Sequence, residues 1–96
     1  MSSSKAYKDF ILEQLSELKD ISIRPMMGEF LLYYNGVLFG GIYDNRLLIK
    51  KTNSNKSCSL PEEIPYEKGK SMYMVDNVDD KDYLTNLIKT TYNDLK

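Results

Sequence analysis

The spacing of apolar residues changes twice along this chain, and each change predicts a different kind of element. From Lys5 to Lys19 apolar side chains recur every three or four residues, and the same spacing returns from Tyr83 to Leu95. Between these segments the apolar residues form short runs rich in branched and aromatic side chains. Helical spacing at both ends with β-rich runs between them predicts the order helix, sheet, helix.

Polar residues at the predicted element ends support this division. Ser4 stands where its hydroxyl can accept a hydrogen bond from an early backbone N–H of the first helix. Asp79 or Asp80 fills the same place before the second helix. Both predicted helices therefore have a side-chain cap at the N-terminus.

The central segment predicts about five strands joined mostly by tight turns. They are Ile21 to Met27, Glu29 to Tyr34, Val37 to Tyr43, Arg46 to Lys51 and Ser71 to Asp76. Asn35-Gly36 is the strongest turn signal, because a two-residue type I′ turn needs two residues that tolerate positive φ. Asp44-Asn45 is a weaker copy of it. The polar stretch from Thr52 to Gly69 predicts a long loop with one helical turn near Asn55 to Cys58.

Two-residue turns fix a register, and the register sorts the central strands onto two faces. One face holds Leu31, Tyr33, Leu38, Ile42, Leu47 and Ile49. The other holds Phe30, Leu32, Tyr34, Val37, Phe39, Tyr43, Arg46, Leu48 and Lys50. Neither face alternates to polar residues, yet two amphipathic helices cover only one of them. Gly40 and Gly41 predict a bulge or a close approach of another backbone in this region.

We assign the aliphatic face to the helices and predict that the aromatic face contacts another protein, or a second copy in a homodimer. The candidate interaction residues on it are Phe30, Tyr34, Phe39, Tyr43 and Arg46. Aromatic residues bordered by arginine are typical of interface cores. Two alternatives stay open: the loop from 52 to 69 folds over this face, or one helix packs on each face.

Length and charge limit the classes of function. The 96 residues predict a single domain, 1–96, and one cysteine without a partner favours a reducing, cytoplasmic setting. The N-terminus lacks the apolar segment of a signal peptide, and no apolar run is long enough to cross a membrane. The net charge of −1 removes a global attraction to nucleic acid or lipid.

Catalytic, cofactor and metal sites are not predicted. The chain has no histidine, so histidine-based nucleophilic catalysis and imidazole metal ligands are unavailable. Cys58 in a polar loop reads as an incidental thiol, and the glycines form no nucleotide-binding pattern. We therefore expect a protein that is not an enzyme.

Nucleic-acid binding is the alternative function. Its candidate contacts are the basic residues Arg46, Lys50, Lys51, Lys68 and Lys70, beside tyrosines on which bases can stack. A steep loss of binding with added salt would support it. The net charge of −1 argues against nucleic-acid binding.

An ordered set of residues resembles the N-terminal domain of the TfoX/Sxy family. It comprises Arg24-Pro25-Met26-Met27-Gly28, the stretch from Leu32 to Gly40, the stretch from Asp44 to Lys50, Tyr66, and Lys70 to Tyr73. The chain departs from the family pattern at Pro25, at Met27, where the family often has phenylalanine, and at Asp76, where it often has proline. Pro25 favours an edge strand or a bulge.

The resemblance implies a two-layer α+β fold related to small secretion chaperones, with both helices mainly on one face of an antiparallel sheet. It also implies a bacterial, non-enzymatic regulator of competence or transcription that acts with other proteins, such as transcription regulators. No catalytic residue is implied. Family members that regulate competence usually carry a further helical domain, so we expect a stand-alone N-terminal domain here.

Overall fold

A computed structural model describes residues 3–65 and 69–96 of the chain. Its elements are helix α1 (Lys5–Gln14), strands β1 (Ile21–Met26), β2 (Glu29–Tyr34), β3 (Val37–Ile42) and β4 (Leu47–Ile49), a 3₁₀ turn (Asn55–Cys58), strands β5 (Glu62–Glu63) and β6 (Met72–Val75), and helix α2 (Lys81–Leu95). The described strands form one antiparallel sheet in the order β1-β2-β3-β4-β6-β5. The predicted α+β class is confirmed, with short strand β5 inside the segment predicted as a loop.

The predicted caps are present at both helices. The hydroxyl of Ser4 accepts a hydrogen bond from the Tyr7 N–H at 3.1 Å, and the carboxylate of Asp80 accepts one from the Tyr83 N–H at 3.1 Å. Helix α1 is shorter than its apolar spacing predicts, because the chain leaves helical geometry at Leu15. The turns that follow still bury Leu15 and Leu18, so the apolar spacing identified core positions beyond the helix itself.

Three two-residue turns connect the first four strands. Asn35 and Gly36 have φ of 51° and 79°, and Asp44 and Asn45 have φ of 52° and 57°. Both turns were expected from the sequence, and both are confirmed. The third turn, between β1 and β2, places a methionine, Met27, at φ 51° before Gly28.

Met27 occupies the position that asparagine holds in the next hairpin, and its side chain is 96% exposed. A left-handed backbone is unfavourable for a residue without a short polar side chain. The exposed Met27 side chain makes no packing contacts with the described residues that would offset this cost. We expect Met27→Asn to raise the free energy of unfolding by about 1 kcal/mol, measured by urea denaturation. Asn35→Met is the reciprocal control, and we expect it to lower stability by a similar amount. Equal stability of all three proteins would contradict the argument.

A β-bulge in β3 decides which residues face the helices. Tyr33 pairs with Leu38, but the next residue back along β2, Leu32, pairs with Gly40. Phe39 is therefore an extra residue on β3. Because side chains alternate between the two faces of a sheet, one extra residue moves every later side chain to the opposite face.

The predicted division into an aliphatic and an aromatic face is wrong for this reason. One core cluster contains side chains from both helices and from the sheet face that they cover, which we call the inner face. Its buried residues are Ile11, Leu15, Leu18, Leu32, Phe39, Ile42, Leu47, Ile49, Val75, Leu84, Leu87 and Ile88. The prediction that both helices pack on one face is confirmed, and the alternative with one helix on each face is excluded.

The edge and close-approach predictions also hold. Pro25 lies in β1, which is an edge strand of the sheet. A Cβ atom at Gly40 would lie 2.2 Å from the Leu48 carbonyl oxygen, and one at Gly41 would lie 2.5 Å from the Phe30 carbonyl oxygen. The paired glycines therefore let neighbouring backbones approach beside the bulge.

Candidate functional site

The sheet face opposite the helices is largely apolar. We call it the outer face and define it by register and alternation. Its members include Ser22, Arg24 and Met26 on β1, Glu29, Leu31 and Tyr33 on β2, Leu38, Gly41 and Tyr43 on and after β3, Leu48 on β4, and Met72 and Met74 on β6. Both helices pack against the inner face, so neither covers this one.

The centre of the outer face is well packed. Leu48 has no exposed surface and Tyr43 is 4% exposed. The Tyr43 ring lies over Gly41, where a Cβ atom would come within 2.8 Å of a ring carbon. Leu31, Leu38 and the neighbouring members are partly buried. The side chains at the centre of the outer face are therefore packed against one another and leave little of their own surface exposed.

Charged residues lie at the border of the outer face. The Arg24 guanidinium lies 5.9 Å from the ring centroid of Tyr33. Arg46 donates to the Glu63 carboxylate at 2.7 Å and to the Tyr43 carbonyl oxygen at 3.2 Å. An apolar centre inside a charged rim is the usual anatomy of a protein interface.

The predicted interaction residues do not share this face. Phe39 is fully buried in the core. Phe30 packs on the inner face with the Lys8 ammonium 5.7 Å from its ring centroid. The ring of Tyr34 lies 4.7 Å from that of Tyr92 on α2. The bulge explains this correction, because Phe30, Tyr34 and Phe39 precede or form it. Tyr43 and Arg46 follow it and lie on the outer face and its rim.

The basic residues proposed for nucleic acid are partly compensated. Lys51 pairs with Glu62, and Arg46 pairs with Glu63 at 2.7 Å. The hydrogen bond from Lys51, followed by one from Ser71, lowers the pKa of the Glu62 carboxyl, so this acid remains ionised beside its lysine. Lys50 is partly buried and Lys70 is exposed, while Lys68 lies outside the described residues. Nucleic-acid binding by this set stays a prediction.

Sequence reasoning missed a cleft of about 480 Å³ at the C-terminal end of α2. It is lined by Lys51, Thr52, Asn53, Lys56, Tyr73, Asp94 and Leu95. No local signal reveals it, because its walls come from three distant segments. Asp94 accepts a hydrogen bond from the Ser54 N–H at 2.8 Å, and its carboxylate opposes the charges of the two lysines.

Because of Asp94, we expect the contact between α2 and the loop that contains Ser54 to depend on pH. The pKa of Asp94 lies below the ordinary value, first because of the Ser54 backbone hydrogen bond and then because of Ser54 and Thr52 side-chain bonds. A lowered carboxyl pKa adds stability above the unfolded-state pKa, and that stability is lost as pH falls through the folded-state pKa. We expect Asp94→Asn to destabilise at neutral pH and to match the natural protein in strong acid. Urea denaturation of both proteins across pH tests this, and a difference independent of pH would contradict it.

A buried asparagine fixes the same loop to α2. The Asn55 side chain has no exposed surface. It donates to the Lys50 carbonyl oxygen at 2.8 Å and to the Thr91 hydroxyl at 2.9 Å, and it accepts from the Thr52 N–H at 2.9 Å. The sequence predicted the helical turn at this position but not the buried hydrogen bonds by which Asn55 holds it to α2.

We expect Asn55→Ala to lower the free energy of unfolding by about 2 kcal/mol, because it leaves buried polar groups without partners. Thermal unfolding measures this. Asn53→Ala, in the same loop but exposed, is the matched control and is expected to have little effect. Equal effects of the two substitutions would contradict the role of Asn55.

The described residues offer little for metal or membrane chemistry. In residues 3–65 and 69–96, no group of three or more metal-ligating side chains comes together. None of the helices in that part of the chain is long and apolar enough to cross a membrane.

Comparisons with known proteins bear on the family. The model of the TfoX N-terminal domain matches residues 13–94, which include every strand of the sheet and most of α2. A relative from Spirochaeta aurantia, described as an uncharacterized 12.7 kDa protein in the trpE 5′ region, is 29% identical over 80 residues. The matched segment covers 81% of this chain and 70% of that relative. The resemblance seen in the sequence is confirmed, and the chain belongs to the family of TfoX N-terminal domains.

Proposed function

We propose that this chain is a non-enzymatic regulatory module that acts by binding protein through its outer face. Membership of the TfoX N-terminal family supports a regulatory or competence-related domain. The observation that carries the proposal is the outer face itself, an apolar sheet surface with a charged rim and no helix over it. Leu31, Leu38 and Met74 supply its apolar surface, and Arg24 and Arg46 border it.

The side-chain chemistry supports a role without turnover. The chain has no histidine, so an imidazole base for an activated nucleophile is unavailable. The single cysteine supports a reducing, cytoplasmic setting. Turnover of any substrate in a broad screen would contradict this part of the proposal.

Gene deletion with complementation tests the regulatory role. Transcripts of the native host are compared with and without the gene, and we expect a defined set of transcripts to change and to recover with the natural chain. Leu38→Lys, which places a charge on the outer face, is expected to fail to restore them. Met27→Lys places the same charge on an exposed turn and is the control that restores them.

Circular dichroism first confirms that both variants fold. Unchanged transcripts after deletion would overturn the regulatory role. Full restoration by Leu38→Lys would overturn the role of the outer face.

A further inference from the structure

We infer that the protein bound on the outer face is a second copy of this chain, packed sheet against sheet about a two-fold axis parallel to the strands. This inference rests on the outer face of the proposed function and adds its occupant and geometry. A two-fold axis brings the same surface of both copies together, so the surface must be complementary to itself. The shape, the composition and the charges of the face can each be compared with that requirement.

The size of the face suits such a dimer. Six described strands spaced about 4.8 Å apart place the two edge strands about 24 Å from each other. Strands β1 to β3 have six residues each and are about 20 Å long, while β4, β5 and β6 have three, two and four residues. The projected area is about 400 Å² per copy, and side-chain relief adds to it. Two such faces approach the roughly 1,000 Å² that a specific interface needs. The whole described chain measures 29 × 28 × 24 Å, so this face is close to a full side of the molecule.

The register places an apolar row across the middle of the face. Arg24 pairs with Leu31, Leu31 with Gly41, Gly41 with Leu48, and Leu48 with Met74. The row therefore starts at a cation on the β1 edge and runs through apolar residues toward β5. Two stacked sheets keep their strand directions within about 30° and enclose a core about 10 Å thick. Gly41 and Leu48 are already buried within one copy, so the partly buried Leu31, Leu38 and Met74 of both copies supply the side chains that fill that depth.

The two edges of the outer face carry opposite charges, and each charged group still has atoms available for a further hydrogen bond. Within the described residues, Arg24 forms no ion pair, and its one interaction is the contact with the Tyr33 ring. At the far edge, Glu63 uses its Oε1 atom for Arg46, and its Oε2 atom receives no hydrogen bond from the described residues. A carboxylate has room for further donors on its second oxygen. Among the described residues, the face thus has a cation without an ion-pair partner at one edge and an unused carboxylate oxygen at the other.

The direction of the two-fold axis follows from these charges. An axis parallel to the strands places β1 of one copy opposite β5 of the other, so Arg24 meets the partner's Glu63 twice in the dimer. An axis perpendicular to the strands places β5 against β5 and brings like charges together. Glu63 pairs with Met72, two residues from Met74 on β6. That offset is about 7 Å along the strand, which a long arginine side chain covers at the usual sheet angle.

Solution mass tests the dimer directly. Light scattering of the purified chain over a wide concentration series is expected to show conversion from monomer to dimer. Leu38→Lys is expected to remain monomeric at concentrations where the natural chain is dimeric. Met27→Lys, the same charge away from the face, is expected to dimerise normally. A monomer at every concentration, or a dimer that Leu38→Lys leaves intact, would overturn the inference.

Charge reversal at the rim tests the axis and needs no change in the packed centre. Arg24 is exposed, so Arg24→Glu is expected to fold and to raise the dissociation constant about tenfold, since two rim contacts are lost. Glu63→Lys is expected to weaken the dimer as well, and the double variant Arg24→Glu with Glu63→Lys to bind better than either single variant. Lys89→Glu on α2 is the control and is expected to change nothing. Absence of recovery in the double variant would overturn the parallel axis.

The two proposals fail differently. If the chain is monomeric but Leu38→Lys still fails to restore the transcripts, the outer face binds a different protein and only the homodimer is wrong. If the chain dimerises as described but deletion changes no transcript, the dimer stands and the regulatory role is wrong.

Discussion

Replacing Phe39 with alanine is expected to lower the free energy of unfolding by about 4 kcal/mol, the largest effect of any substitution considered. Phe39 is the largest fully buried side chain and belongs to the core cluster with residues of both helices. It lies on the same face as Leu32, which the helices cover, so truncation leaves a cavity that the surrounding strands cannot close. Urea denaturation followed by circular dichroism measures the change.

The adjacent residue provides the matched control. Leu38 lies on the outer face and is partly buried, so Leu38→Ala is expected to cost about 1 kcal/mol. The contrast between two neighbouring residues tests which face of β3 the helices cover, because the predicted assignment of the aliphatic face to the helices would reverse it. A larger loss for Leu38→Ala than for Phe39→Ala would show that the assignment of faces is wrong.

Gly40→Ala is expected to destabilise by about 3 kcal/mol, although it adds a single methyl group. That methyl would lie 2.2 Å from the Leu48 carbonyl oxygen and 2.9 Å from the Ile49 Cα atom. Both are backbone atoms of β4, which pairs with β3 here through Gly40 and Ile49. Relief requires the two central strands to separate. Thermal unfolding is expected to show a melting temperature lower by more than 10 °C, at about 4–8 °C per kcal/mol.

Gly36→Ala separates this crowding from the general cost of replacing glycine. Apart from Gly36 and its two chain neighbours, none of the described residues has a heavy atom within 4 Å of a Cβ atom at Gly36, but the φ of Gly36 is 79°. We therefore expect a backbone cost of only about 1 kcal/mol. If Gly36→Ala were as damaging as Gly40→Ala, the close approach of β4 would not explain the need for glycine at position 40.

For the candidate site, the sequence predicted that one sheet face carries no helix but assigned the wrong residues to that face. The prediction that both helices pack on one sheet face and leave the other without a helix is confirmed, because that conclusion depends on counting amphipathic surfaces. The same prediction named Phe39 as part of the uncovered face and left Leu38 on the covered side, and both assignments are reversed in the structure. The error lies in which face the helices cover: the bulge moves Ile42, Leu47 and Ile49 onto the face of Phe39, so that face, and not the face of Leu38, is the one packed against the helices.

Local interactions explain what the sequence by itself determined. The caps Ser4 and Asp80, the Asn35-Gly36 turn, the Asp44-Asn45 turn and the helical turn at Asn55–Cys58 each depend on residues within a few positions of one another. Tertiary structure alone decided the faces of β3 and β4, the short strand β5 that supplies Glu62 and Glu63 to the basic residues, and the burial of Asn55 against Thr91. The pair Gly40-Gly41 signalled a bulge or a close approach, but the position of the extra residue and the face to which it turns the later side chains depend on long-range packing of Phe39 and of β4, which residue spacing does not encode.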